Sequence, residues 1–557
     1  MRINNWTPTA LIALVAVVSI AAPSLAQQAR PTPNVADDFV RAEPTGPVPA
    51  ELAAGLERIR VEALAASIAF LASPTLEGRG LGSRGLEAAS GHAAAALAAA
   101  GVPPLAAEPA AEGTDAYFQQ VPIREITPGE SELTVEVRRG EVVRTRSYRG
   151  GVDCVFPEIA PGSVAAPVVF AGFGIREPQL GRDDYAGLAV RGTIVLVLGG
   201  LPPGEEWQKR ELVARYNAEK VRDRYRAKAD AARALGAVAI LAIEGGDFVT
   251  DDVAQAKPAA TFFLPHERGP DDEAPPVVRI STAAADALLA VAGLDSASAA
   301  GAKPVALPGV TATLRATGTE KLVVSRNVVG VIAGSDPKLR GEAVVIGAHM
   351  DHLGKVGHVV YPGADDNASG VSALLEIARA FATSPTPPKR TVVFTFWTGE
   401  EEGKFGSGWW VRHPLWPLER TTAYLNLDMI AHPWTADEIR KLVADAGLPD
   451  GERFLAGLDP AGFAEPGVAA WSPELAEVLR RAGPATGLAL RLDRTDGKSG
   501  GSDYRDFARA GVPWVRFFGN FFPGYHEPAD TPENTDTEQV RRMARLCFAT
   551  AWMLANP

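Results

Sequence analysis

Past residue 313 the chain alternates apolar, β-branched runs with amphipathic helical stretches, and no other feature of the 557-residue sequence constrains the fold as strongly. The runs at 344–348, 391–397, 422–427, 488–492 and 512–518 have the length and branching of buried strands. Stretches 369–383, 473–481 and 537–554 carry the apolar period of helices. This alternation predicts an α/β fold, with a mainly parallel central sheet covered by helices on both faces. In such sheets ligands bind beyond the carboxyl ends of the strands.

The segments beyond those strand ends share a chemistry. In chain order they are Gly347-Ala348-His349-Met350-Asp351-His352, Gly363-Ala364-Asp365-Asp366-Asn367, Thr398-Gly399-Glu400-Glu401-Glu402-Gly403, Asn426-Leu427-Asp428-Met429 and Tyr525-His526-Glu527. A lone His or Asp at a strand end is ordinarily a cap or a surface residue, but five metal-competent segments in one domain argue for a shared site. With only two cysteines, Cys154 and Cys547, such a site must use His, Asp and Glu. Two His and three carboxylates exceed what one catalytic zinc takes and suit two ions with a bridging carboxylate. The His-Glu-x-x-His helix of single-zinc proteases is absent, so the ligands come from separate loops.

These five ordered segments resemble the co-catalytic two-zinc exopeptidases, a family of secreted bacterial aminopeptidases, aminopeptidase Y and, more distantly, glutamate carboxypeptidase. The resemblance runs from about residue 51 to the C-terminus. It implies two Zn2+ ions per chain and a peptide substrate. Carried onto this sequence, it implies that Asp365 bridges the ions, that Glu401 and His526 complete one set, and that His349 and Asp428 complete the other. Asp351 is expected to orient His349 through its second ring nitrogen. Glu400 is left as the general base, and Tyr525 as a donor to the developing oxyanion. The family commonly has Ser-Asp-His before the last strand where this chain has Ser502-Asp503-Tyr504, so substrate preference does not carry over by analogy.

The remaining chain reads in four parts. Residues 1–26 have one early charge, a short apolar run and small residues before Ala26, the pattern of a signal peptide cut after Ala26 and hence of a secreted or periplasmic protein. Residues 27–50 read as a proline-rich linker, and 51–130 as an N-terminal helical part with a glycine-rich turn between two helices. Residues 131–312 read as a β-rich insertion with one strong helical stretch at 211–235 and a proline-rich excursion at 250–276. The segment from Asp184 to Gly192 gives this insertion a resemblance to the protease-associated domain. Residues 313–557 are the catalytic domain. No later segment is long and apolar enough to span a bilayer. The excess of 67 acidic over 55 basic residues disfavours nucleic acid as a partner. Oligomeric state is not written in the sequence. The two cysteines read as buried thiols rather than a bridge.

Other signals compete. Gly497-Lys498-Ser499-Gly500-Gly501 fits a serine nucleophile motif, but residues 494–498 separate Ser499 from the preceding apolar run, whereas a nucleophile elbow follows its strand directly. Gly80-Leu81-Gly82-Ser83-Arg84-Gly85 fits a dinucleotide fingerprint without the strand it requires. Within the fold, a zinc carboxypeptidase, a glutaminyl-peptide cyclase-like acyl transferase and a metal-free receptor are the alternatives. Arg516 is a candidate partner for a substrate carboxylate, and Trp409, Trp410, Phe521 and Phe522 for an apolar pocket or the core. His352 and His358 lie near the motifs; His92, His266, His413 and His432 read as surface or packing residues.

Overall fold

The computed structural model describes residues 35–43, 46–105, 113–156, 162–217, 224–244, 261–265 and 276–557. The expected signal peptide, much of the linker and of the proline-rich excursion, and His266 lie outside them. The strand Ala343–His349 sits between Thr391–Trp397 and Thr421–Leu427, parallel to both, and Trp514–Phe517 continues the parallel order. Both central strands are buried along their whole length, which is why they read as unbroken apolar runs.

Alternate residues serve the two faces. Val344, Ile346 and Ala348 pack with Phe394, Leu425 and the helices Val61–Leu71, Gly370–Ala382, Pro473–Ala485 and Thr537–Ala555. Val345, Val393, Trp397 and Tyr424 face the other way, onto Trp410 of Phe405–Arg412 and Phe507 of Tyr504–Arg509. Each fully buried aliphatic or aromatic side chain contributes roughly 1.5–3 kcal/mol relative to exposure.

Two long antiparallel strands, Phe118–Arg139 and Val305–Ile332, pair from Phe118↔Val328 to Val310↔Val137. Val305–Ile332 also pairs with Thr391–Trp397 near its end and with Gly162–Phe170 near its start, so one sheet runs through both halves of the chain. Within residues 131–312, Gly162–Phe170, Ile194–Leu198, Ala239–Ile243 and Val277–Ile280 are mutually parallel. Leu196 and Leu241 pack toward Thr282–Leu289, and Val195 and Ile240 toward Arg226–Ala234. Residues 131–312 thus carry an α/β arrangement, with more helix than their β-branched runs imply. The run at 488–492 joins a separate small sheet, where Ala489–Arg491 pairs with Phe39–Val40 and Phe463–Ala464. Cys154 and Cys547 are both buried and free. Among the described residues no helix is long and apolar enough to cross a membrane.

The segment beginning at Asp184 has a clear local task. The Asp184 carboxylate, 5% exposed, accepts the amides of Phe173 and Ile175 at 3.1 Å each and pairs with Arg182 at 2.9 Å. Asp184→Ala should therefore orphan two buried amides, costing roughly 1–3 kcal/mol for each. The check is a lowered urea midpoint of unfolding, with the slope unchanged.

Candidate metal centre

The carboxyl ends of the parallel strands converge as the alternation requires. His349 closes its strand, Glu400 and Glu401 follow Thr391–Trp397, and Asp428 follows Thr421–Leu427. Asp366 comes from the turn that leads into Gly370–Ala382, and His526 from the loop after Trp514–Phe517. That turn is tight. Gly363 has φ +62°, and a Cβ there would meet the Asp366 carbonyl oxygen at 2.1 Å and the His352 ring at 2.5 Å, so glycine is required.

Two donor groups form around one carboxylate. In the first, His349 Nε2 lies 3.3 Å from Asp366 Oδ1 and 3.2 Å from Asp428 Oδ1. In the second, His526 Nε2 lies 3.1 Å from Asp366 Oδ2 and 3.2 Å from Glu401 Oε2. His352 Nδ1 lies 2.7 Å from Glu401 Oε1 and 3.9 Å from Asp366 Oδ2. The donor atoms of His349, Asp366 and Asp428, and those of His352, Asp366 and Glu401, fall within 4.8 Å of one another in each set.

The electrostatics call for positive charge between these groups. Burial works against a charged His349, yet Asp428 and Asp366 raise it well above the ordinary histidine range. Burial likewise opposes a charged His526, and Asp366 and Glu401 raise it to about 10. Asp366 is held well below the carboxylate range: burial opposes this, and the hydrogen bonds from His349 and His526 outweigh it. Imidazole and carboxylate donors of this kind, crowded and buried, fit divalent zinc.

Asp365, expected to bridge, does not reach the centre. Its Oδ1 accepts the Ala431 amide at 2.8 Å and the Ser369 hydroxyl at 3.0 Å, and its Oδ2 lies 2.8 Å from His432 Nδ1. Asp366, with φ −103° and ψ 92°, departs from the helical backbone of this turn, so its side chain does not follow the direction of Asp365's. Asp366, rather than Asp365, faces both His349 and His526. Asp351 also differs in detail: its carboxylate accepts the amides of Glu400 at 3.1 Å and Glu401 at 3.2 Å, while its backbone oxygen is what meets His349 Nδ1, at 3.2 Å. It orients the acidic turn with its side chain and the imidazole with its main chain.

Glu400 is buried, which raises its carboxyl well above the usual range, opposed by His349 and by Lys404, whose Nζ lies 2.8 Å from Oε1. The Tyr525 ring stacks on His526 at 3.9 Å, and burial together with Asp366 pushes its hydroxyl up, so it stays a donor at neutral pH. Phe521, 62% exposed, lies 5.2 Å from Tyr525, and Phe522 stacks on His432 at 3.8 Å. Trp410 is core, Trp409 stacks on His413, and Tyr504 packs on Trp514. Arg516 lies over Tyr504 and Phe518 and 3.8 Å from Asp493. Asp366 was missed because two adjacent aspartates are indistinguishable in sequence. His432, read as packing, is a buttress of Asp365.

This geometry predicts that Asp366→Asn lowers bound divalent metal below one ion per chain, while Asp365→Asn leaves the stoichiometry of the unmodified protein. Atomic emission on dialysed protein measures both.

Residues 327–551 match peptidase family M28. A probable lipoprotein aminopeptidase of Mycobacterium tuberculosis is 26% identical over 402 residues, 68% of this chain and 64% of that one. A probable glutamate carboxypeptidase of Zea mays is 31% identical over 218 residues, 37% and 26% of the two chains. The chain spans less than two thirds of either relative's length. Among solved structures, an aminopeptidase from Aneurinibacillus sp. strain AM-1 superposes with a TM-score of 0.52 at 20% identity, covering 91% of this chain and 96% of that one. That likeness establishes a common fold.

Proposed function

From a chain whose residues 327–551 belong to peptidase family M28, we propose a two-zinc aminopeptidase that removes residues from the free amino ends of peptides. The observation that carries the reading is the Asp366 carboxylate, with one oxygen 3.3 Å from His349 and the other 3.1 Å from His526. One ion would be held by His349, Asp366 and Asp428. The other would be held by Asp366, Glu401 and His526, with His352 against Glu401. When bound, the pair of ions supplies an acidified water and polarises the substrate carbonyl.

The chain's own residues do the rest. Glu400, which belongs to neither donor set, takes a proton and returns it to the leaving nitrogen. Lys404 and His349 favour its ionised form against burial. Asp351 fixes the backbone of Glu400 and Glu401 together, so base and ligand keep their spacing. The Tyr525 hydroxyl supplies a hydrogen bond at the site of developing negative charge. Phe521, exposed beside Tyr525, offers an apolar surface to the substrate's terminal side chain. Amino-end attack is favoured over carboxyl-end attack because the relative matched over the larger share of this chain is named an aminopeptidase.

We further infer that residues 131–312 are a protease-associated-type insertion, supported by a core of its own around Leu196, Leu241 and Leu288. The signal pattern over residues 1–26 supports export, with cleavage after Ala26.

The test is mass spectrometry of a peptide panel with free or acetylated amino ends. Single residues should be lost from free amino ends only, the loss should stop with a chelator, and zinc should restore it. Trimming from the carboxyl end would make the protein a carboxypeptidase, and conversion of amino-terminal glutamine to its cyclic form would make it a cyclase. Glu400→Gln should keep its zinc while kcat falls by roughly 10²–10⁴. Turnover surviving that change would remove Glu400 as base.

A further inference from the structure

Behind the donor groups, two buried charged side chains tie three loops together without touching a donor atom. Arg79, 1% exposed, ends the turn Pro74–Arg79 with φ +52°. Its Nε donates to the Met350 carbonyl at 2.8 Å, between His349 and Asp351. Its Nη1 donates to Pro362 at 2.7 Å and to Leu71, and its Nη2 to Gly363 at 2.8 Å, just before Asp365 and Asp366. Asp530 is fully buried and lies in the loop that carries His526. One of its carboxylate oxygens accepts the Asp365 amide at 2.8 Å and the other the Asp366 amide at 3.0 Å. Its main-chain oxygen accepts the Ala364 amide at 3.1 Å.

The turn bearing Arg79 is itself locked to the same loops. The His352 amide donates to the Arg79 carbonyl at 3.3 Å and the Gly354 amide to Gly78 at 3.0 Å. A Cβ on Gly78 would meet the Gly354 carbonyl oxygen at 2.3 Å, and Gly78 has φ +67°. Burying a guanidinium to satisfy carbonyl groups alone is costly. Apolar residues could fill this volume, yet they cannot hold carbonyls on separate loops at once as the five donors of a planar fork do, nor accept two adjacent amides as the two oxygens of a carboxylate do.

We propose that Arg79 and Asp530 are positioning residues of the metal centre. Arg79 fixes the His349 loop against the Gly363 turn, Asp530 fixes that turn against the His526 loop, and together they aim Asp366 at both histidines. This rests on the two-zinc reading above.

The test uses Asp530→Asn, which keeps size but turns an amide nitrogen toward an N–H, and Arg79→Lys, which keeps charge but loses the fork. Zinc affinity is measured by competition with a chromophoric chelator, alongside circular dichroism and the thermal midpoint of the metal-free proteins. Either variant, folded as apoprotein, should bind zinc roughly 10–100-fold more weakly, with kcat falling more than KM changes. Unchanged zinc affinity with only a lowered thermal midpoint would overturn the proposal, as would failure of both variants to fold, which would make the residues structural. If the unmodified protein itself binds no zinc, the reading of the centre fails instead.

Discussion

One carboxylate, Asp366, faces two imidazoles at once, and the rest of the site is arranged around that sharing. A single buried carboxylate between two histidines is satisfied as an anion only while positive charge sits on both sides. Asp428 and Glu401 add a further carboxylate to each side, so three carboxylates meet the imidazoles of His349, His352 and His526. Buried carboxylates crowded in this way favour positive charge between them.

The surrounding structure manages this charge through the main chain. Asp351 accepts two amides of the acidic turn, Asp365 accepts the Ala431 amide, and Asp530 accepts the amides of Asp365 and Asp366. These carboxylates are held by their own partners and withdrawn from the centre, which leaves Asp366, Asp428 and Glu401 as the acids that face its histidines. The parallel sheet supplies the convergence. Ala343–His349, Thr391–Trp397 and Thr421–Leu427 all end on one edge, so residues far apart in sequence meet there.

Much of this was legible in the sequence, for a physical reason. Strands such as Thr391–Trp397 are buried on both faces, so their apolar runs are unbroken and their ends mark the functional edge. The full extent of the long strands Phe118–Arg139 and Val305–Ile332 was not legible. They carry exposed polar residues and a shift in the pairing register between Ala316 and Gly318. Within the site, the choice of strand-end loops followed from chemistry, but the choice between Asp365 and Asp366 depends on backbone direction and on partners as remote as His432 and Asp530. Arg79 escaped notice for the same reason: its partners are carbonyl groups, which every residue has.

The most direct measurement of the central claim is an anomalous difference map, recorded at the zinc absorption edge from crystals of the zinc-loaded protein. The account predicts two peaks on opposite sides of the Asp366 carboxylate, one beside His349 and Asp428 and the other beside Glu401 and His526. A single peak, or density against Asp365 with Asp366 turned away, would contradict it.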